Sequence, residues 1–150
     1  MVDDYEQYEA DSKRIRIANE KLLADFANWL KKSNLAHKTI SKHLDNIEFY
    51  INEYLLYEDA IEPQDGVHDV SMFLGYWFIR KAMWASAASI KSNAASLKKF
   101  YTYLYERGLV TKDDLDSLKE AIKEEMSEWL ATLGRYDDPS ITDMEEVWGL

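Results

Sequence analysis

The sequence contains no cysteine, and only five glycines and two prolines occur among its 150 residues. The absence of cysteine excludes disulfides, thiolate nucleophiles and cysteine-ligated zinc, and it is compatible with a reducing cytoplasm. The scarcity of glycine and proline favours long helices with short connections over a fold that is rich in turns.

Long hydrophobic runs are also missing. No stretch approaches the roughly 18 consecutive apolar residues that a membrane span needs, and the first residues lack the basic and apolar regions of a signal peptide. We therefore expect a cytoplasmic protein without membrane contact. Hydrophobic residues still make up 47% of the chain, which is enough for a sizeable core in a single domain.

Apolar residues recur at spacings of three and four in five segments, and no segment alternates as a strand would. The first two predicted helices span residues 13–32, with Ile17 on the inner face, and residues 38–57. A loop over residues 58–68 separates them from a third helix, which starts at Asp69 or Ser71 and is apolar nearly all round, up to Met83 and Trp84.

The last two predicted helices have clear local stop and start signals. The fourth follows the small residues 85–89 and stops at Gly108, since glycine is the usual residue just past a helix end. The fifth starts at Thr111, which forms a capping-box pattern with Asp114, and its apolar stripe runs to Gly134.

The net charge of −10 normally argues against nucleic-acid binding, because cations set against phosphates dominate that affinity. The basic residues are nevertheless concentrated. Residues 31–43 hold four lysines and no acid, and residues 80–107 hold six basic residues and one acid. Both segments border predicted amphipathic helices, so they can form one cationic surface, although lysines on helices are often only solvated.

Two sets of motifs occur in a recognisable order. The first is FANWL at 26–30, then NLA at 34–36 and Thr39; the second is SI at 89–90, Ala95, Leu97, FYTYL at 100–104 and Gly108. Over residues 22–110 this pattern resembles the N-terminal core-binding domain, also called the SAM-like domain, of tyrosine recombinases and phage integrases.

The resemblance implies an all-α fold: an orthogonal four-helix bundle of the SAM-like integrase core-binding type, to which this chain adds a C-terminal helix. In that family, helices two and four face the major groove of duplex DNA. The DNA-binding residues that the resemblance implies are Lys38, Thr39, Lys42, His43, Ser89, Lys91, Ser92, Asn93, Ser96, Lys98 and Lys99. His43 stands where the family often has tyrosine, and Thr39 is equally open to a role as a helix cap.

The catalytic half of that family is not recognisable here. Its domain brings an Arg, a Lys, a His-x-x-Arg pair and a tyrosine nucleophile, whereas this sequence has no His-x-x-Arg. His37 and His43 are six residues apart, which does not place two metal ligands on one helical face. Neither a glycine-rich phosphate loop nor a nucleophile motif is present. We therefore expect a protein that is not an enzyme and that uses no cofactor or metal.

The sequence divides into an acidic lead-in (1–16), a core-binding-like domain (17–110), an additional amphipathic helix (111–134) and an acidic tail (135–150). The leading hypothesis is a non-catalytic module that binds double-stranded DNA, an accessory or truncated integrase-like protein in DNA recombination and integration. The alternative is a protein-interaction or self-association module that keeps the fold but does not bind DNA. Its partner would contact the fifth helix and the tail, through Trp129, Val147, Trp148 and Leu150.

Overall fold

A computed structural model describes residues 3–137, and all regular structure among them is helical. The α-helices are α1 (Asp4–Lys31), α2 (His37–Glu48), α3 (Val70–Met72), α4 (Phe78–Lys81), α5 (Ala87–Glu106) and α6 (Lys112–Asp137). π-helical turns follow α2 over Phe49–Tyr54 and join α3 to α4 over Phe73–Trp77, and Pro63–His68 forms a 3₁₀ helix. The predicted all-helical fold is confirmed. None of the described helices is long and apolar enough to cross a bilayer.

Helix α5 lies between α2 and α6, and it supplies the largest share of the interior. One hydrophobic core joins Phe26 of α1, Ile47 of α2, Phe100 of α5 and Leu118 of α6. The loop after α2 is tied to this core by two buried hydroxyls, because Tyr50 donates to the Gly66 carbonyl and Tyr101 donates to the Pro63 carbonyl, each at 2.7 Å. Helix α6 is therefore packed into the same core as the first five helices.

The acidic lead-in is part of the first helix. Asp3 caps α1, accepting a hydrogen bond from the Glu6 N–H at 2.7 Å, and Tyr8 donates to the Leu56 carbonyl. Ile15 is buried, whereas Ile17 is 62% exposed, so the inner-face prediction for Ile17 is wrong. The buried face of α1 contains Ile15 and the residues that follow it at intervals of four and seven. Ile17 lies off this face and is therefore exposed to solvent.

The third predicted helix ends earlier than its apolar pattern indicated. Helix α4 stops at Lys81, Ala82 is extended, and Met83 is 98% exposed. Met83 is exposed because it lies in the turn beyond this helix end, where no helical face is present to bury it.

Local signals placed the last two helices correctly. Thr111 and Asp114 form reciprocal hydrogen bonds, Thr111 N–H to Asp114 Oδ2 at 3.2 Å and Asp114 N–H to Thr111 Oγ1 at 3.0 Å. Gly108 has a φ of +75°, the left-handed conformation expected of a glycine after a helix. Helix α6 continues past Gly134 to Asp137, because nothing at Gly134 breaks its backbone.

Gly75 and Gly134 make a matched pair for testing how α6 packs. A Cβ at Gly75 would lie 2.6 Å from Cδ1 and 2.7 Å from Nε1 of buried Trp129, whereas a Cβ at Gly134 would meet nothing within 4 Å. We expect Gly75→Ala to lower the free energy of unfolding by about 1–3 kcal/mol through overpacking. We expect Gly134→Ala to raise it by about 0.5–1 kcal/mol, since alanine favours the helix. Urea unfolding of both variants measures this; a Gly75→Ala variant as stable as Gly134→Ala would contradict the packing.

Candidate nucleic-acid interface

A buried polar contact joins α2 to α5. Asn46 donates through Nδ2 to Ser92 Oγ at 3.0 Å and to Ser96 Oγ at 2.9 Å, and His43 Nδ1 lies 2.7 Å from Ser96 Oγ. His43 of α2 pairs with Ser96 of α5, and Asn46 reaches back to Ser92, so the two helices run antiparallel. The first turns of α2 therefore lie beside the C-terminal half of α5.

This contact corrects three of the predicted DNA-binding residues. Ser96 has no exposed surface, Asn93 is 3% exposed and His43 is 8% exposed. The Asn93 amide donates to the Ser89 carbonyl within α5 at 2.8 Å. The prediction that these three residues contact DNA is wrong, because they are buried and their polar atoms have partners within the protein: His43 and Ser96 pair with each other, and Asn93 donates to the Ser89 carbonyl.

Two further serines of the predicted surface also have structural partners. Ser89 forms a capping box with Ser86 at the start of α5, with its own Oγ accepting from the Ser86 N–H at 2.7 Å. Ser92 is half-buried and accepts the hydrogen bond from Asn46. The small polar residues of α5 therefore build the helix and its contact with α2.

Thr39 does not cap its helix. The N-cap of α2 is Ala36, whose side chain makes no capping hydrogen bond, and Thr39 lies three residues further on with its side chain exposed. The capping interpretation of Thr39 is therefore wrong. The phosphate contact stays a prediction, with the first amides of α2 uncapped by any side chain.

Two lysines of α2 are exposed near the contact with α5. Lys38, Lys42 and Asn46 are spaced four residues apart, so they follow one row along the helix, and Asn46 contacts α5. Lys38 and Lys42 are both exposed. At about 100° per residue, Lys42 is turned about 40° and Lys38 about 80° from Asn46. Because the first turns of α2 lie beside the C-terminal half of α5, we expect both lysines to flank that half of α5.

The lysines of α5 meet a lysine that sequence reasoning missed. Lys98, Lys99 and Lys119 of α6 surround a shallow depression with Trp29, Ala95 and Thr102. Lys119 escaped notice because α6 is acidic overall, and only its packing against α5 brings this residue beside Lys98. We call Lys38, Lys42, Lys98, Lys99 and Lys119 the lysine surface.

Within the range that the structure describes, the lysines of the lysine surface are not engaged in ion pairs, unlike five other cations of the protein. Arg14, Lys21, Arg107, Lys112 and Arg135 each form an ion pair with a carboxylate. Among residues 3–137, no carboxylate pairs with a lysine of the lysine surface. Lys91 is likewise exposed and unpaired within that range, but it precedes Lys99 by eight residues, about 12 Å along α5.

Acidic side chains occupy a separate face of α6. Asp116, Glu120, Glu124 and Glu125 line a depression of their own, and the neighbouring Glu120 raises the pKa of Glu124. Helix α6 thus carries Lys119 on its α5 side and carboxylates elsewhere. This segregation reconciles a net charge of −10 with a local cationic surface.

The residues predicted to bind a protein partner do not form an exposed surface in the part of the chain that the structure describes. Trp129 is 3% exposed and packs against Gly75, so its predicted role as an exposed anchor is wrong. Val147, Trp148 and Leu150 lie outside the described residues. The inward apolar residues of α6 are used in the core instead.

In the described part of the chain, no three His, Asp or Glu side chains are grouped to hold a metal ion. No family model matches the sequence, and no curated protein or solved structure is significantly similar to it. The structure therefore shows an all-helical protein with a lysine surface. The integrase-type resemblance remains a prediction.

His43 makes the α2–α5 contact sensitive to pH. Burial, together with the nearby charge of Lys99, lowers the pKa of His43 below its ordinary value of 6.5. A lowered folded-state pKa means that His43 contributes stability above about pH 6.5, and that this contribution is lost as the pH falls through the folded-state value.

Below pH 6.5, we expect the free energy of unfolding of the wild type to fall by up to about 1.4 kcal/mol per pH unit more than that of His43→Gln. Replacement of the exposed His37 by Gln is the control and should keep the wild-type dependence. Urea unfolding between pH 5 and 8 measures both. Parallel curves for wild type and His43→Gln would contradict a buried, neutral His43.

Proposed function

We propose that this chain is a non-catalytic module that binds double-stranded DNA through the lysine surface. The observation that carries the proposal is the convergence of Lys98, Lys99 and Lys119 around one depression, without carboxylate partners among residues 3–137. We expect Lys38 and Lys42 of α2 to extend this surface. Lysines without ion-pair partners do not have to break an internal ion pair before they contact phosphates. The full favourable free energy of counterion release from DNA therefore contributes to binding.

The acidic residues elsewhere in the protein weaken the long-range attraction to DNA but do not prevent contact between the lysine surface and phosphates. At physiological ionic strength the Debye length is about 8 Å, so the charges close to a docked phosphate dominate. The carboxylates of α6 occupy a different face from Lys119. We therefore expect DNA binding to be short-ranged and strongly dependent on salt.

The resemblance to the core-binding domain of tyrosine recombinases supports the same surface, since it assigns the second and fourth predicted helices to DNA. Those helices correspond to α2 and α5, which carry four of the five lysines. The proposal accordingly extends to an accessory or truncated integrase-like role in recombination, in the cytoplasm. Of the residues first assigned to DNA, we retain Lys38, Thr39, Lys42, Lys98 and Lys99, and we add Lys119.

A mobility shift with random duplex DNA tests the proposal. With about five phosphate contacts, the logarithm of the binding constant should fall against the logarithm of salt concentration with a slope of about −4.5. The variant Lys98→Glu/Lys119→Glu should bind at least about tenfold more weakly and lower the magnitude of this slope by about 2.

The matched control is Lys13→Glu/Lys21→Glu, which changes the net charge equally on α1, away from the lysine surface. It should leave the slope unchanged. Equal losses in the two double variants would overturn the assigned surface, and no duplex binding by the wild type at low salt would overturn DNA binding itself.

The alternative, a protein-interaction or self-association module, is favoured by one feature of the structure. Met83 and Trp84 form an exposed apolar pair at the turn between α4 and α5. Sedimentation of the full chain beside Met83→Ser/Trp84→Ser distinguishes this function. A concentration-dependent mass that the double variant abolishes, with no binding to DNA, would favour the alternative.

A further inference from the structure

A groove lined by aromatic rings lies at the far end of α2 from the lysine surface. Tyr54, Tyr57, Tyr76 and Trp77 contribute to its wall, and its volume is about 330 Å³. The rings hold one another in place, since the centroid of Trp77 lies 5.3 Å from that of Tyr54 and 5.6 Å from that of Tyr57, both nearly edge to face. The groove is therefore a preformed aromatic concavity of the size of a small ligand site.

Three carboxylates share the groove with the rings: Glu58, Asp59 and Asp69. None of them forms an ion pair with a residue in the described range 3–137. Asp69 is half-buried, and burial raises the pKa of its carboxyl group. Burial and the charges of Asp69 and Glu58 raise the pKa of Tyr54, which lines the same groove, to about 12. The groove thus combines carboxylates without ion-pair partners in the described range with aromatic rings.

Cations of the chain itself also contact these rings. The Lys81 ammonium lies 5.4 Å from the centroid of the Tyr57 ring and 3.4 Å from its hydroxyl, and Arg80 donates to the Tyr76 hydroxyl at 2.9 Å. Neither Lys81 nor Arg80 lines the groove. The contact of Lys81 with Tyr57 shows that a ring of this wall attracts a cation.

We propose that this groove binds a methylated ammonium group, held by Tyr54, Tyr57 and Trp77 through cation–π contact and by Asp69 and Glu58 through charge. A methylated ammonium suits the groove better than a metal ion, because its apolar methyl groups pack on ring faces while its diffuse charge faces the carboxylates. The head group can belong to a free choline-like molecule or to a trimethylated lysine side chain. Either is recognised by the same chemistry.

The groove is independent of the proposed DNA contact. Tyr54 follows Lys42 by twelve residues along α2 and its π-helical extension, roughly 15–18 Å. Choline binding is therefore expected in the Lys98→Glu/Lys119→Glu variant as well. Failure of DNA binding and failure of choline binding are separate results.

The test compares choline with 3,3-dimethyl-1-butanol, its neutral isostere, by titration of the full chain followed by the indole N–H signals in NMR. We expect saturable shifts of the Trp77 signal with choline, assigned by its loss in Trp77→Phe, and at least tenfold weaker binding of the isostere. Equal affinity for the two probes would overturn the assignment to a cation. The absence of a saturable shift at choline concentrations on the order of tens of millimolar would overturn the site.

Two variants that each remove one negative charge test the location of the site. Asp69→Asn removes the half-buried carboxylate without removing a cap, since the Asp69 side chain makes no capping hydrogen bond with α3. It should weaken choline binding about five- to tenfold, whereas Glu53→Gln, which removes an exposed acid outside this groove, should change it less than twofold. Equal effects of the two variants would contradict the groove as the binding site.

A pair of short peptides that differ only in trimethylation of one lysine identifies the source of the head group. Tighter binding of the trimethylated peptide than of choline would support a peptide ligand, and weaker binding would support a free small molecule. In both cases the unmodified peptide should bind at least about tenfold more weakly than the trimethylated one. Equal binding of the two peptides would count against recognition of methyl groups.

Discussion

The buried hydrogen bonds between α2 and α5 fix the packing of the two helices that carry four of the five lysines of the lysine surface. Asn46, Ser92, Ser96 and His43 satisfy one another in the interior, at distances of 2.7–3.0 Å. Each bond contributes only about 1 kcal/mol net, but a shift of one helix along the other would leave these groups buried without partners, at about 1–3 kcal/mol each. The polar contact therefore specifies the antiparallel register that brings Lys38 and Lys42 next to the C-terminal half of α5.

The distribution of charge then decides what the surface can bind. Lysines without carboxylate partners in residues 3–137 are found on α5 and on the two helices that flank it, α2 and α6, while carboxylates line another face of α6 and the aromatic groove beyond α2. A protein of net charge −10 can in this way present a cationic surface at one place and an anionic aromatic groove at another. The two proposed sites need opposite charges in their ligands, and the length of α2 separates them.

Sequence patterns predicted the helices well where the signals are local. The Thr111–Asp114 capping box and the left-handed Gly108 are confirmed because they depend on residues within one turn of each other. The pattern failed at Ile17, which lies nine residues before buried Phe26 and so about half a turn away from it around α1, and at Met83, which lies in the turn beyond the end of α4. The end of α4 carries no glycine or proline, so the sequence offered no local signal for it.

The sequence by itself determined that the chain is all-helical, that its basic residues are concentrated in two segments and that local caps set two helix ends. Only the tertiary structure decided which polar residues are exposed. Serine, asparagine and histidine in an amphipathic helix are equally suited to a groove or to an interhelical contact, and the burial of His43, Asn93 and Ser96 follows from the neighbouring helix. Lys119 joined the lysine surface for the same physical reason. It lies on the helix that follows the helix of Lys98, and only the packing of α6 on α5 brings the two charges together.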